Sequence, residues 1–373
     1  MDGSLHCVYS NFKKGYLPNY PVTPLEKRSR LWLSMKSINH LKFDSENSII
    51  FYDQKLIQFQ AFARWIRLFP NSIGLQAGEE LKTIRAYSEI LNQVQKLASE
   101  KQMGRQFKMI AIGGGSVTDF VGFVAATYQR GHAWIAVPST WLCAIDSAHG
   151  GKNGLNLNEV KNQIGTIHFP DEVIICDELL KLQPLERLIE SAGEILKITL
   201  ISSAVGFDQF KLDEQFILKN LSTYIKFKNK IVKQDPFETK KIRYLLNFGH
   251  TVGHIFESEK NLPHGIAILF GMIFAIHFSL VKKFITSKEA QVILTKIKET
   301  VFSPSMQMQL KDAFTISDLV FTEKLLQDKK NVGKKINFIC IKKRGQVFVR
   351  EFSAAEITTQ FKKLSSLKDY FNV

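Results

Sequence analysis

Cysteine is scarce in this chain, and no two of Cys7, Cys143, Cys176 and Cys340 form a C-x-x-C pair. That scatter excludes a disulfide framework and a thiolate zinc site, and it points to reduced thiols in a cytoplasmic setting. The N-terminal stretch MDGSLHCVYSNFKKGY lacks the apolar core of a secretory signal, so no export is expected. Long hydrophobic runs are missing too. The most apolar one, IAILFGMIFAIHFSLV at 266–281, is short for a membrane span and carries His277 and Ser279. A buried helix is expected there, and no membrane partner. No RNP, zinc-finger or helix-turn-helix signature accompanies the net charge of +15, so nucleic acid is not an expected partner. There is no Walker spacing, no internal repeat and no low-complexity segment.

What is present suits a soluble globular protein of about two domains: 373 residues, 45% hydrophobic and 23% charged. The lysines are spread along the chain, with small clusters at 226–230 and 328–335. Most of that charge is expected on solvated surface, and a basic cleft would also draw in anionic metabolites. The first half alternates strand and helix: strands at 49–52, 108–112, 134–137 and 173–176, with helices at 80–100 and from 116 through Tyr128. This predicts an α/β domain with a Rossmann-like parallel sheet over 31–184. From Pro184 the pattern turns helical, at 185–201, 207–233, 245–258, 265–284 and 287–302, with a short strand at 336–341. A mainly α-helical domain over 185–373 is expected. Residues 1–30, with Pro18, Pro21 and Pro24, read as an extended arm.

Four segments carry chemistry. MIAIGGGSVTDFVGF (109–123) reads as strand, glycine turn and helix, a site for a dinucleotide pyrophosphate. Its G-x-G-x-x-G fingerprint is broken by Thr118, and Ser116 and Asp119 have the spacing of a plain capping box. The stretch 137–165, with Asp146, Gly150, Gly151, Lys152, Lys161 and Asn162, reads as a long loop able to cradle phosphate. In ESAGEILK (190–197), Glu194 and Lys197 share a helical face with Glu190, the spacing of an ordinary surface ion pair or of a metal-binding carboxylate. RYLLNFGHTVGH (243–254) spaces Arg243, Asn247, His250 and His254 along one face of an apolar helix. His264 follows in LPHGIAILFGM. A catalytic zinc needs three protein ligands, and Glu194, His250, His254 and His264 offer one too many. Spacing leaves open which histidine is spare.

Taken together, GGGSVTDFVGFVAATYQRG, VPSTWLCAIDSAHGGKNGLN, KNQIG, GEILK, RYLLNFGHTVGHIFES and PHGIAILFGM occur in an order that resembles the 3-dehydroquinate synthases, over roughly 49–341. The resemblance implies an NAD-binding α/β domain and a helical metal domain, usually in a homodimer. It implies conversion of 3-deoxy-D-arabino-heptulosonate 7-phosphate to 3-dehydroquinate and phosphate, with NAD and a divalent metal, zinc or cobalt. It assigns the metal to Glu194, His250 and His264, which leaves His254 to the active site near the phosphate. NAD contacts fall on Asp53, Glu79, Lys82, Gly114, Gly115, Asp119, Thr140 and Asp146, with Ser116, Ser139 and Lys161 placed beside them. Substrate contacts fall on Lys152, Asn162, Lys197, Lys228, Arg243 and Asn247. Arg130 matches an arginine supplied across the dimer interface, and one lysine of DKKN (328–331) is expected over the substrate.

The chain departs from the family pattern at Thr118, Asn153, Val160 and Ile266, where Gly, Thr, Gly and Glu are usual. The segment 238–243 is one residue longer, which leaves the role of Glu238 open. Competing expectations are a sugar-phosphate cyclase for another heptulose phosphate, a metal-dependent polyol dehydrogenase, or a non-catalytic descendant. The set Lys152, Asn162 and His254 argues against the dehydrogenase.

Overall fold

The structure is a computed structural model that describes residues 33–158, 160–202, 206–327, 335–365 and 369–371. The expected arm and the DKKN lysines lie outside the described residues. Six strands form one parallel sheet: β1 (Leu33–Met35), β2 (Ser48–Asp53), β3 (Ser72–Leu75), β4 (Lys108–Gly113), β5 (Trp134–Pro138) and, after an antiparallel hairpin of β6 (Lys152–Leu157) and β7 (Val160–Ile167), β8 (Glu172–Cys176). The order is β1-β8-β5-β4-β2-β3. Side chains alternate between two cores, as period-two geometry requires. Ile49, Phe51, Met109, Ala111, Trp134 and Ala136 face one, and Ile50, Ile110, Ile112, Ile135 and Val137 face the other with Phe62 and Trp65. Burial on both faces explains why these strands are continuous apolar runs. Chain progression reverses between β2 and β4, and the carboxyl ends of strands at such a reversal leave a crevice.

The helical half is built around His264–Val281, which is buried from Gly265 through Ser279. It is long and apolar enough to cross a membrane, and 83% of it is buried inside the protein. Its polar residues are satisfied there: His277 Nε2 pairs with the Tyr370 carbonyl at 2.7 Å, and Ser279 accepts from the Ile341 amide at 3.1 Å. Helices Ala192–Ser202 and His250–Lys260 pack on it, and an antiparallel pair, β9 (Lys335–Lys343) and β10 (Gln346–Ser353), closes another side. Phenylalanines fill this core, with Phe321 stacked on Phe361 at 3.9 Å between ring centroids and Phe278 tilted against Phe338 at 4.9 Å. The described tryptophans, Trp65, Trp134 and Trp141, are all buried in the sheet half.

Three expectations are corrected. The stretch 137–165 is no long loop, because β6 pairs with β7 and Asn153 holds the hairpin's mouth by donating to the Gly151 and His168 carbonyls at 3.1 and 2.8 Å. The helix expected at 245–258 is a 3-10 turn, Arg243–Asn247, followed by a separate helix that starts at His250. Gly249, at φ 84°, makes the break, so the four-residue stripe does not lie on one helix. Ser116 and Asp119 form no capping box: the helix Gly115–Thr127 already contains Ser116, and Gly114 is its N-cap. Ser116 instead accepts from the Gly78 amide at 3.1 Å, and Asp119 pairs with Lys82 at 3.2 Å.

Candidate metal and anion site

Glycines set the geometry of the triad. A Cβ on Gly193 would lie 1.9 Å from the Gly265 carbonyl oxygen, so helices Ala192–Ser202 and His264–Val281 touch backbone to backbone. Each glycine is the chain neighbour of a proposed ligand, Glu194 or His264, and left-handed Gly249 precedes His250. The break at Gly249 turns His250 toward Glu194, with Nε2 3.2 Å from Oε1, and His264 Nε2 lies 3.4 Å from the same oxygen. Both distances are ion-pair separations, and Glu194 Oε1 is buried with no aligned hydrogen-bond donor. Lys197 pairs with the other oxygen of this carboxylate, so Oε1 is the atom left open to a cation. One ligand atom from each of the three side chains falls within a 4.8 Å cluster, so the residues fit a divalent metal.

Glu194 is fully buried and Lys197 is 1% exposed, so the surface ion-pair reading of ESAGEILK fails for them. Glu190 alone behaves that way, pairing with Arg187 at 2.6 Å. Lys197 Nζ donates to Glu194 Oε2. Burial would raise the Glu194 carboxyl, but Lys197 and His250 hold it well below the usual carboxylate range. Burial and the Lys197 charge push His250 down to about 4. For His264 burial acts downward as well, yet Glu194 and Glu257 raise it to about 10. A bound cation would take the place of that proton.

Beside the triad lies a cavity of about 670 Å³ whose lining includes His250, Lys152, Lys197, Lys228, Arg243 and Asn247. Lys228 is buried and pairs with Asp146 Oδ1 at 2.7 Å. Arg243 donates to the Gly150 carbonyl at 2.7 Å and the Pro236 carbonyl at 3.1 Å. In 238–243, Glu238 and Lys241 take left-handed backbone, at φ 58° and 60°. That turn brings Glu238 Oε1 to 2.5 Å from Lys152 and 3.3 Å from Arg243, which gives the open position a structural place. Asp235 holds the turn by accepting from the Lys240 and Arg243 amides at 3.0 and 3.1 Å.

The candidate cofactor residues sit at the reversal crevice. Asp53 ends β2, Gly114 and Gly115 follow β4, and Ser139 and Thr140 follow β5. Lys82 reaches Asp119 at 3.2 Å and Asn162 at 2.5 Å, and Glu79 accepts from Asn156 at 2.9 Å. Burial outweighs Lys82 at Asp119, whose carboxyl is raised. Asp119, Asp146 and Asn162 also line the cavity, which joins crevice and triad. His254 is exposed and does not line it, although its ring centroid lies 5.2 Å from that of His250. Arg130 is exposed at φ 74°, also outside the lining. Lys161 crosses from β7 to Glu257 on the helix His250–Lys260, at 3.0 Å. Sequence reading overlooked Glu257, although it lies seven residues from His250 and three from His254 on one helix face. Of the departures, Thr118 turns its hydroxyl onto the Gly114 and Gly115 carbonyls, Ile266 is buried, and Val160 is 54% exposed.

An enzyme cleft of the metal- and anion-handling kind follows from this geometry, because the buried carboxylate and the fixed cations each call for a partner of opposite charge. The family model for the 3-dehydroquinate synthase N-terminal domain matches residues 72–190, and the C-terminal one matches 191–331. The chain belongs to the 3-dehydroquinate synthase family. The 3-dehydroquinate synthase of Pelagibacter ubique is 31% identical over 352 residues, 88% of this chain and 93% of that protein. That of Saccharolobus solfataricus is 38% identical over 244 residues, 62% of this chain and 67% of the other. Among solved structures, a 2-deoxy-scyllo-inosose synthase complexed with carbaglucose-6-phosphate, NAD⁺ and Co²⁺ shares the fold, with a TM-score of 0.74, 19% identity, and 89% of this chain and 96% of that one covered. A 2-epi-5-epi-valiolone synthase from Streptomyces hygroscopicus with NAD⁺ and Zn²⁺ bound also has a TM-score of 0.74, at 20% identity over 90% of this chain and 96% of that one.

Proposed function

We propose that this chain is a cytoplasmic, homodimeric 3-dehydroquinate synthase that converts 3-deoxy-D-arabino-heptulosonate 7-phosphate to 3-dehydroquinate and phosphate. The observation that carries the reading is the convergence of His250, from the Glu194, His250 and His264 triad, with Lys152, Lys197, Lys228 and Arg243 on one cavity. Relatives that bear the synthase name across most of their length support it. Residues 31–184 would bind NAD, through Asp53, Glu79, Lys82, Gly114, Gly115, Ser116, Asp119, Ser139, Thr140, Asp146 and Lys161. Residues 185–373 would hold the metal, zinc or cobalt, and with Lys152 and Asn162 the substrate.

NAD would supply reversible hydride acceptance, so that net redox is zero, and the metal would supply Lewis-acid polarisation of the hydroxyl being oxidised. Lys152 and Asn162, which line the cavity, take the phosphate end, and His254, outside the lining, would lie near it. Lys228, Arg243 and Asn247 take the carboxylate end. Cations fixed in this way hold one substrate orientation and stabilise negative charge as it spreads toward the leaving phosphate. Arg243 is anchored by two backbone carbonyls, so its position does not depend on substrate. Lys197 keeps Glu194 ionised. Arg130 would reach the site of the partner subunit.

Phosphate release from the heptulosonate 7-phosphate by the purified protein, with NAD⁺ and with or without a chelator, tests the reading. Chelator-sensitive release without accumulation of NADH is expected. Accumulation of NADH would make the protein a polyol dehydrogenase, and no release with zinc and NAD⁺ restored would assign it another sugar phosphate.

A further inference from the structure

We propose that Glu257 is the positioning carboxylate of the metal site, and that Lys161 is the residue through which the sheet half holds it in place. The inference rests on the reading of Glu194, His250 and His264 as metal ligands.

The two candidate imidazoles are held very differently. The His250 side chain is 12% exposed, and its Nδ1 faces the Phe248 carbonyl at 3.4 Å. The His264 side chain is 33% exposed and stands on the first residue of its helix, directly after Pro263. Packing therefore fixes His250 and leaves His264 dependent on a tether. Glu257 Oε2 supplies one, 2.8 Å from His264 Nδ1. An imidazole that donates its Nδ1–H to a carboxylate keeps its lone pair on Nε2, the nitrogen that faces Glu194. The contact thus selects both the tautomer and the ring orientation that a ligand needs.

Glu257 is in turn fixed from across the cleft. Its other oxygen, Oε1, lies 3.0 Å from Lys161 Nζ on β7 of the sheet half. The order is Lys161, Glu257, His264, Glu194: a cation, a carboxylate, an imidazole and a buried carboxylate, running from the cofactor side of the cleft to the triad.

The test is Co²⁺ binding to the full-length chain, read by competition with a chromophoric chelator and by the visible absorption of the bound ion, whose intensity reports ligand geometry. Wild type, Glu257→Gln, Lys161→Met and His264→Ala are compared, with far-UV circular dichroism as the check on folding. Wild type is expected to bind one Co²⁺. Glu257→Gln should weaken binding about 10- to 100-fold, the range for loss of such an orienting partner, and alter the absorption. Lys161→Met, on an exposed side chain, should weaken binding a few-fold, and His264→Ala most of all. Wild-type affinity and spectrum in Glu257→Gln would overturn the proposal alone. Failure of wild type to bind Co²⁺ would overturn the metal reading and the proposal with it. Unaltered binding by Lys161→Met would remove Lys161 from the proposal.

Discussion

Substituting Gly193 by alanine tests whether the helix contact sets the metal geometry. The new Cβ would lie 1.9 Å from the Gly265 carbonyl oxygen and 2.9 Å from the Leu269 amide nitrogen. Cβ contacts closer than 3.0 Å are essentially never found, and the obstructing atoms are backbone atoms that cannot swing aside. The helices Ala192–Ser202 and His264–Val281 must therefore part by about 1 Å, and overpacking of that kind costs about 1–3 kcal/mol. Ligand distances in a metal site tolerate only about 0.2 Å, so the same displacement draws His264 away from a metal held by Glu194 and His250. Gly193→Ala is expected to melt several degrees lower without metal and to bind Co²⁺ at least tenfold more weakly. Gly104→Ala is the control, since a Cβ there meets nothing within 4 Å, and it should leave both quantities unchanged. Wild-type melting and wild-type affinity in Gly193→Ala would refute the argument.

Two further predictions concern buried groups. Lys228→Met strands the Asp146 carboxylate, whose side chain is 27% exposed, and should destabilise the protein by about 1–3 kcal/mol in urea unfolding, with Asp146→Asn in the same chain recovering most of the loss. Equal stability of the single and double variants would refute the stranding of Asp146. Burial raises the thiols of Cys143 and Cys340 to about 11 and about 12 and raises Cys176 as well, so none of them forms thiolate near neutral pH. A Cys7→Ser variant should therefore show no reactive thiol at pH 8 until it is unfolded, as counted with a chromogenic disulfide reagent.

The sheet was legible because strands covered on both faces announce themselves as apolar runs: 108–112, 134–137 and 173–176 all fall within observed strands. The hairpin β6–β7 was not, because its residues, KNGLNL and VKNQIGTI, are largely polar and its pairing depends on contacts beyond the local chain. In the site, residue types were legible and backbone was not. Arg243, Asn247 and His250 reach one cavity, but by a 3-10 turn and a left-handed glycine rather than along one helix. A step of four residues cannot distinguish those paths, since Gly249 has the same letter in either conformation. Glu257 escaped for another reason: a carboxylate on a helix looks like solvated surface until its imidazole partner, seven residues away and across a turn, is placed beside it.

The placement of the aromatic residues divides the molecule spectroscopically. The sequence holds four tryptophans, at positions 32, 65, 134 and 141, and all precede the helical half. Emission from Trp65 and Trp134 during denaturation therefore reports on the sheet half and that from Trp141 on the core it shares with the helical half, while the phenylalanines around His264–Val281 are nearly dark to it. Far-UV dichroism draws on the helices of both halves, and more on those of the helical half, which has more of them. Comparing the two curves shows whether the sheet half and the helical half come apart together or in turn, without a label on either.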